Sequence, residues 1–503
     1  MIDAASQAEA GWPQRVLSAS RGLFQPVRSH AGRIAAYALV LGVFVPALKT
    51  IFSMSHGMVA GAPKMAVAVK VVAGGSMMLN PLSLLLLQVA VIIIVGRLCA
   101  MLLSRVGQPA VIGQVIGGLA LGPSLLGALF PAAAAVLFPP ASLMNLHYLS
   151  QIGLLAFMFI VGLQLDTGAL KKQAGAAGLI SHTSIVFPFL LGSALALALY
   201  TGFAPAGVAF VPFCLFMGIA MSITAFPVLA SILHEKGMMH TPLGSLALAC
   251  AAIDDVSGWG VLAVVVGVAH SGSAMAGAHV MGWALGYVAV MLAGVRPLLA
   301  RMMARMDGPA GSVAAVVTLL LSALAAEMIG IHALFGAFLA GAIMPRANGL
   351  HERLVSGLSY FSTIVLLPIF FALTGLRTHL ELLNNVWGVT AAVIGVALLG
   401  KLGGATAAAR WSGMTWREAL SIGALMNTRG LMELVVLNIG YDLGIISAPL
   451  FAILVLMAVG TTMMTGPLLS WLSRKPASVA SQGAADGVVA PRIELIPESE
   501  QSF

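Results

Sequence analysis

From Pro81 to Leu472 the chain is a succession of thirteen apolar runs, most close to the about 20 residues that a helix needs to cross a bilayer's hydrocarbon core. They lie near 82–104, 109–128, 147–166, 175–200, 207–233, 243–268, 277–296, 312–329, 332–345, 357–376, 384–409, 417–440 and 446–472. Hydrophobic residues fill 60% of the 503 positions and charged residues only 8%. A soluble domain carries roughly 25% charged residues, and a single soluble core stops growing near about 250–300 residues. The expected fold class is therefore an all-α polytopic membrane protein. The 56 glycines fit, because small residues let membrane helices approach closely.

Charges between the runs set the orientation. Arg105, Lys171, Lys172, Lys236, Arg296, Arg301, Arg305, Arg346, Arg353, Arg410, Arg417, Arg474 and Lys475 fall on one alternating set of loops. The opposite set after Pro81 holds, near its ends, only Arg377. Basic residues gather on the cytoplasmic side, which places the first set and the C-terminus in the cytoplasm of a multi-pass inner or plasma membrane protein. The net charge of +8 is thus a matter of topology rather than of nucleic-acid binding, and no arginine–aromatic cluster accompanies it. Residues 1–80 form an N-terminal unit: a basic segment with Arg15, Arg21, Arg28 and Arg33, an apolar run at about 34–54, and a linker. The linker carries Lys64 and Lys70, which run against the rule on an outside loop. The basic segment is long and no small-x-small cleavage site directly follows the run, so we read it as an extra, uncleaved helix rather than a signal peptide. Residues 81–475 are the transmembrane domain, and 476–503 a short disordered tail with no room for a soluble regulatory domain.

Within the run at 243–268, Asp254 and Asp255 stand side by side. A carboxylate at the bilayer centre costs about 3 kcal/mol on insertion scales, and packing gains nothing from it, so the pair marks a site. Helix neighbours point about 100° apart. One aspartate can face an aqueous cavity while the other turns towards a counter-charge such as Lys401, about two-thirds along its own run. Desolvation and a like neighbour disfavour the ionised carboxylate, and a lysine favours it. A site balanced in this way lets protons and cations compete; the bland alternative is a structural Asp–Lys bridge.

The preceding run contains Ser222, Thr224 and Pro227. Pro227 has no N–H and disturbs the turn before it; Ser222 and Thr224 can re-satisfy freed backbone groups or offer oxygens to a cation. Broken helices at the midplane build transporter ion sites, although a proline in a membrane helix can also be a mere kink. The run at 417–440 carries Arg429 and Glu433 at i and i+4, a spacing that also lets the two neutralise each other. A polar, interrupted run with an ionisable neighbour thus occurs once in each half, as inverted repeats around a central site require. Glu327, Arg97 and the histidines His182, His270, His279, His332 and His379 read as interfacial or snorkelling groups. Cys99, Cys214 and Cys250 sit in apolar runs, giving neither a disulfide framework nor a metal cluster.

Six stretches, Gln108–Ser124, Gly153–Asp166, Ser222–Ala230 with the aspartate motif after it, Gly330–Gly341, Leu367–Gly375 and Asn427–Leu434, resemble the monovalent cation:proton antiporter-2 family. Within it they are most similar to plant-type cation/H⁺ exchangers and their microbial relatives, in consistent order over about 82–472. The resemblance implies thirteen core helices in an inverted-repeat antiporter fold, with crossing discontinuous helices at Thr224 and Arg429. It implies a homodimer with a moving core and a fixed dimerisation domain, Na⁺ or K⁺ and H⁺ as substrates, a role in pH homeostasis, and no cofactor or resident metal. Asp255 would be the essential ion carboxylate and Asp254 the partner of Lys401, a form that looks like antiporters exchanging unequal charge.

The function expected is secondary active exchange of a monovalent cation for H⁺ by alternating access, with Asp254, Asp255, Thr224 and Ser222 binding the ion or proton. Lys401, Arg429 and Glu433 would supply counter-charge and support, and Pro227 the helix break. The alternatives are a proton-coupled exporter of an organic cation or antibiotic on the same fold, or an ion channel or sensor. Intramembrane aspartyl proteases need their carboxylates on different helices, and His234-Glu235 lacks the second histidine of a zinc protease at the required spacing. An enzyme is not expected.

Overall fold

The structure is a computed structural model that describes residues 30–61, 80–164, 167–239, 241–271, 274–306, 309–345, 349–384 and 386–473. The N-terminal arginines Arg15, Arg21 and Arg28, Lys64, Lys70, Asp166, Arg346, the Arg474–Lys475 pair and the 476–503 tail lie outside these residues, as do the side chains of Arg33, Lys171, Lys172 and His270.

Among the described residues every regular element is helical. Eleven helices are long and apolar enough to cross a membrane, and a twelfth span is a pair bent by 44° between Trp416–Met426 and Leu431–Asp442. This corrects the thirteen expected spans at one place. The 332–345 run forms only Ala333–Ile343, 11 residues, roughly 17 Å at 1.5 Å per residue and short of a core of about 30 Å. Its glycines serve close packing instead: Gly341 meets the backbone of Phe159 and Leu163 so closely that a Cβ has no room. Two other spans begin earlier than their hydropathy does, at Pro140 and Leu350. The second of these tolerates Pro368 because a wider π turn at Ser362–Leu366 precedes it and absorbs the missing N–H.

The helices pack in two groups. Pro81–Ser104, Ala110–Leu121, Pro140–Gln164, Pro309–Ile329, Ala333–Ile343 and Leu350–Leu376 form one. The other gathers Thr167–Phe203, Phe210–Glu235, Pro242–Ser271, Trp387–Trp411, Trp416–Asp442 and Ala448–Ser473, and holds the buried charges. The His30–Met54 helix lies against Thr167–Phe203, where Phe44 meets Phe189 edge-to-face with centroids 5.5 Å apart.

Candidate ion-binding site

The first broken helix stops at Ser222 and resumes at Phe226. Ile223 and Ala225 are extended, and Pro227 sits in the first turn of the second half, where its missing N–H costs nothing. The second break runs from Asn427 to Gly430, whose φ of +149° suits a residue without a Cβ. A side chain there would also strike Val228 of the first broken helix.

The two breaks satisfy each other. A helix end leaves carbonyls with no intrahelical donor, and here Ala220 O and Met221 O accept from the guanidinium of Arg429, at 2.8 and 2.5 Å. In return the Ala225 N–H donates to Thr428 O at 3.0 Å. Arg429, in the break itself, is fully buried and ion-paired at 3.1 Å to Glu433 in the first turn of the half-helix that follows. A cation at the C-terminal end of a half-helix also meets the negative end of its dipole. Arg429 therefore does more than neutralise Glu433; it holds the crossing together.

Asp254 and Lys401 meet beside this crossing. Lys401 stands on Trp387–Trp411, drawn against Thr167–Phe203 because Gly400 leaves no side chain between its backbone and Pro188. Its Nζ is 2.9 Å from Asp254 Oδ2, with both side chains fully buried, and it donates to Thr224 Oγ1 at 2.6 Å. Asp254 accepts further bonds from Thr224 (2.6 Å), Ser181 (2.5 Å) and Ser184 (3.0 Å). Both oxygens of this carboxylate are thus hydrogen-bonded, as a buried charge requires.

Asp255 is the opposite case. It is 4% exposed, yet no side chain among the described residues donates a hydrogen bond to either of its oxygens, and the polar group that faces it is the backbone N–H of Phe226 at the start of the second half-helix. The residue lines a cavity of about 10 Å³ together with Ile223, Asp254, Gly258, Trp259, Met432 and Val436. Both breaks thus contribute a wall: Ile223 from the first, and Met432 and Val436 from the half-helix that follows the second. Within this cluster the acidic groups Asp254, Asp255 and Glu433 outnumber the basic groups Lys401 and Arg429 by one.

The structure brings Asp254, Asp255, Thr224, Lys401, Arg429 and Glu433 into one neighbourhood. Ser222 is there too, but its hydroxyl donates to Gly218 O (2.7 Å) and Ile185 O (3.0 Å), turned away from both aspartates. Two residues escaped the sequence reading: Ser181 and Ser184. Their signal was a polar run, Ser181-His-Thr-Ser184, in an otherwise apolar helix, with the serines at i and i+3 on one face.

Two interrupted membrane helices meeting around buried ionisable groups define an ion-coupled secondary transporter. More narrowly, the chain belongs to the sodium/hydrogen exchanger family, whose transmembrane domain matches residues 89–475. It is 41% identical over 407 residues to the Na⁺/H⁺ antiporter NhaS4 of Synechocystis, covering 79% of this chain and 99% of that protein. It is 39% identical to cation/H⁺ antiporter 19 of Arabidopsis thaliana over 404 residues, 79% of this chain. It is 32% identical to K⁺/H⁺ antiporter 1 of Saccharomyces cerevisiae over 434 residues, 81% of this chain. The chain spans 50% of the length of each of these last two relatives. In fold it is similar to the sodium proton antiporter MjNhaP1 of Methanocaldococcus jannaschii, with a TM-score of 0.58, 17% identity, and coverage of 78% of this chain and 97% of that one. Family membership places the chain among transporters rather than enzymes.

Proposed function

We propose that the protein exchanges an alkali cation, Na⁺ or K⁺, for H⁺ by alternating access, with Asp255 as the group that holds either the proton or the cation in turn. The observation that carries this reading is the asymmetry of the two aspartates. Asp254 is compensated by Lys401 and three hydroxyls, whereas Asp255 is buried, without a counter-charge or side-chain donor, and set on a cavity. A buried carboxylate without a counter-charge is costly unless something neutralises it. One proton or one monovalent cation does so, and the two are then mutually exclusive. The excess of one acidic group in the cluster supports the same stoichiometric logic.

An organic-cation exporter on the same fold is the second reading, and the cation panel below separates the two. A cytoplasmic C-terminus and a homodimeric assembly belong to the same proposal, the former supported by the basic loops.

Reconstituted vesicles with a trapped pH dye test it. A panel of Na⁺, K⁺, Li⁺, Rb⁺ and organic amines should give proton movement with alkali ions, and Asp255→Asn should abolish it. Full exchange by that variant removes Asp255 from the mechanism.

A further inference from the structure

Ser181 and Ser184 are fully buried on the Thr167–Phe203 helix, three residues apart, and both hydroxyls aim at Asp254. Ser181 donates to Oδ1 at 2.5 Å and Ser184 to Oδ2 at 3.0 Å. Lys401 touches the same oxygen as Ser184, and its Nζ lies 3.4 Å from Ser184 Oγ and 2.6 Å from Thr224 Oγ1. A hydroxyl has one proton to give and two lone pairs to receive. Ser184 and Thr224 therefore each receive from the lysine and give to the aspartate, while Ser181 reaches the carboxylate on the side away from Lys401. Removing Lys401 from Asp254, by motion or by loss of its proton, leaves a carboxylate with three hydroxyl donors still in place.

We propose that Ser181 and Ser184 are positioning residues that keep Asp254 an anion while Lys401 lets go of it, so that protons are taken up at Asp255 rather than at Asp254. The inference rests on the exchange reading above. Burying an ionised carboxylate without donors is prohibitive, and hydrogen bonds to the charged form favour that form. Two serines from a helix that supplies no charge here give Asp254 this support independently of Lys401. The other groups facing Asp254 are Asp255 and Cys250 on its own helix, Lys401 on Trp387–Trp411, and beyond Lys401 the Arg429–Glu433 pair. Thr224 is the other neutral donor, but it gives to Oδ2, so Ser181 is the donor that serves Oδ1 at 2.5 Å.

The test is the pH profile of exchange by the full chain in vesicles. In Ser181→Ala the carboxylate of Asp254 loses its donor at Oδ1, and the profile should move to higher pH by about one unit, the equivalent of about one hydrogen bond to a charged group. Ser181→Cys fills nearly the same space with a weaker donor and should shift the profile in the same direction by less. Should the alanine variant fail to assemble, the cysteine variant carries the test alone. Profiles that coincide with the unmodified protein overturn the proposal, as does a uniform loss of rate at unchanged pH dependence, which is what a packing role would give. If the unmodified protein moves no protons in response to alkali ions, the exchange reading fails instead, so the two failures are distinct.

Discussion

Replacing Asp254 and replacing Lys401 should not cost the same, although the two form one ion pair. Breaking a buried pair by removing one partner costs about 3–5 kcal/mol, because the survivor is an uncompensated buried charge. In Lys401→Met the survivor is Asp254, which keeps donors from Ser181, Thr224 and Ser184 at 2.5, 2.6 and 3.0 Å. That variant should fall at the low end, near about 3 kcal/mol. In Asp254→Ala the survivor is an ammonium whose remaining acceptors are the Thr224 and Ser184 hydroxyls, at 2.6 and 3.4 Å. Neither carries charge, so the loss should be near about 5 kcal/mol. The double variant removes both charges and should cost less than the sum of the singles by about 2 kcal/mol or more, the signature of a coupled pair. Reversible unfolding of the purified protein in mixed micelles, titrated with a denaturing detergent, reads all three. Equal losses for the two single variants, or a double variant equal to their sum, would refute the account of Asp254 as a carboxylate with its own donor set.

Two further outcomes follow from the crossing and the packing around it. Arg429→Lys keeps the charge but loses the fork that serves Ala220 O, Met221 O and Glu433 together; it should destabilise by about 2 kcal/mol or more in the same unfolding assay, since an orphaned buried carbonyl costs about 1–3 kcal/mol. A variant as stable as the unmodified protein would mean that the carbonyls find other donors. Gly341→Leu places a side chain against the backbone of Phe159, where helix Ala333–Ile343 crosses Pro140–Gln164. Folded yield should collapse, whereas Gly357→Ala, in open space, should leave it unchanged; size-exclusion chromatography distinguishes the two.

Much of this molecule was legible in one dimension because membranes impose a one-dimensional rule. A span must be apolar over a fixed length, so the runs, the break at Pro227, and the misplaced charges of Asp254, Asp255, Lys401, Arg429 and Glu433 all stand out against it. The rule fails where protein rather than lipid surrounds a helix. Ala333–Ile343 is apolar without being long enough to span, since packing asks for small residues and not for length.

The sequence by itself determined that the chain is a bundle of membrane helices with ionisable groups buried in its middle, because hydrocarbon tolerates neither unpaired backbone nor idle charge. Residue types and spacing left open which group serves which; the family resemblance implied a pairing of Asp254 with Lys401, and the donors around each carboxylate are a matter of tertiary structure. Adjacent aspartates are alike as residue types, and it takes the approach of Thr167–Phe203, Trp387–Trp411 and the first helix break at Thr224 to give one of them four donors and leave the other facing a cavity. Ser222 and Ser184 look alike as hydroxyls in apolar runs, yet one turns to carbonyls and the other to Asp254. A hydrogen bond has direction and a range of about 3 Å, so partners far apart in the chain are chosen by how helices pack and not by what the residues are.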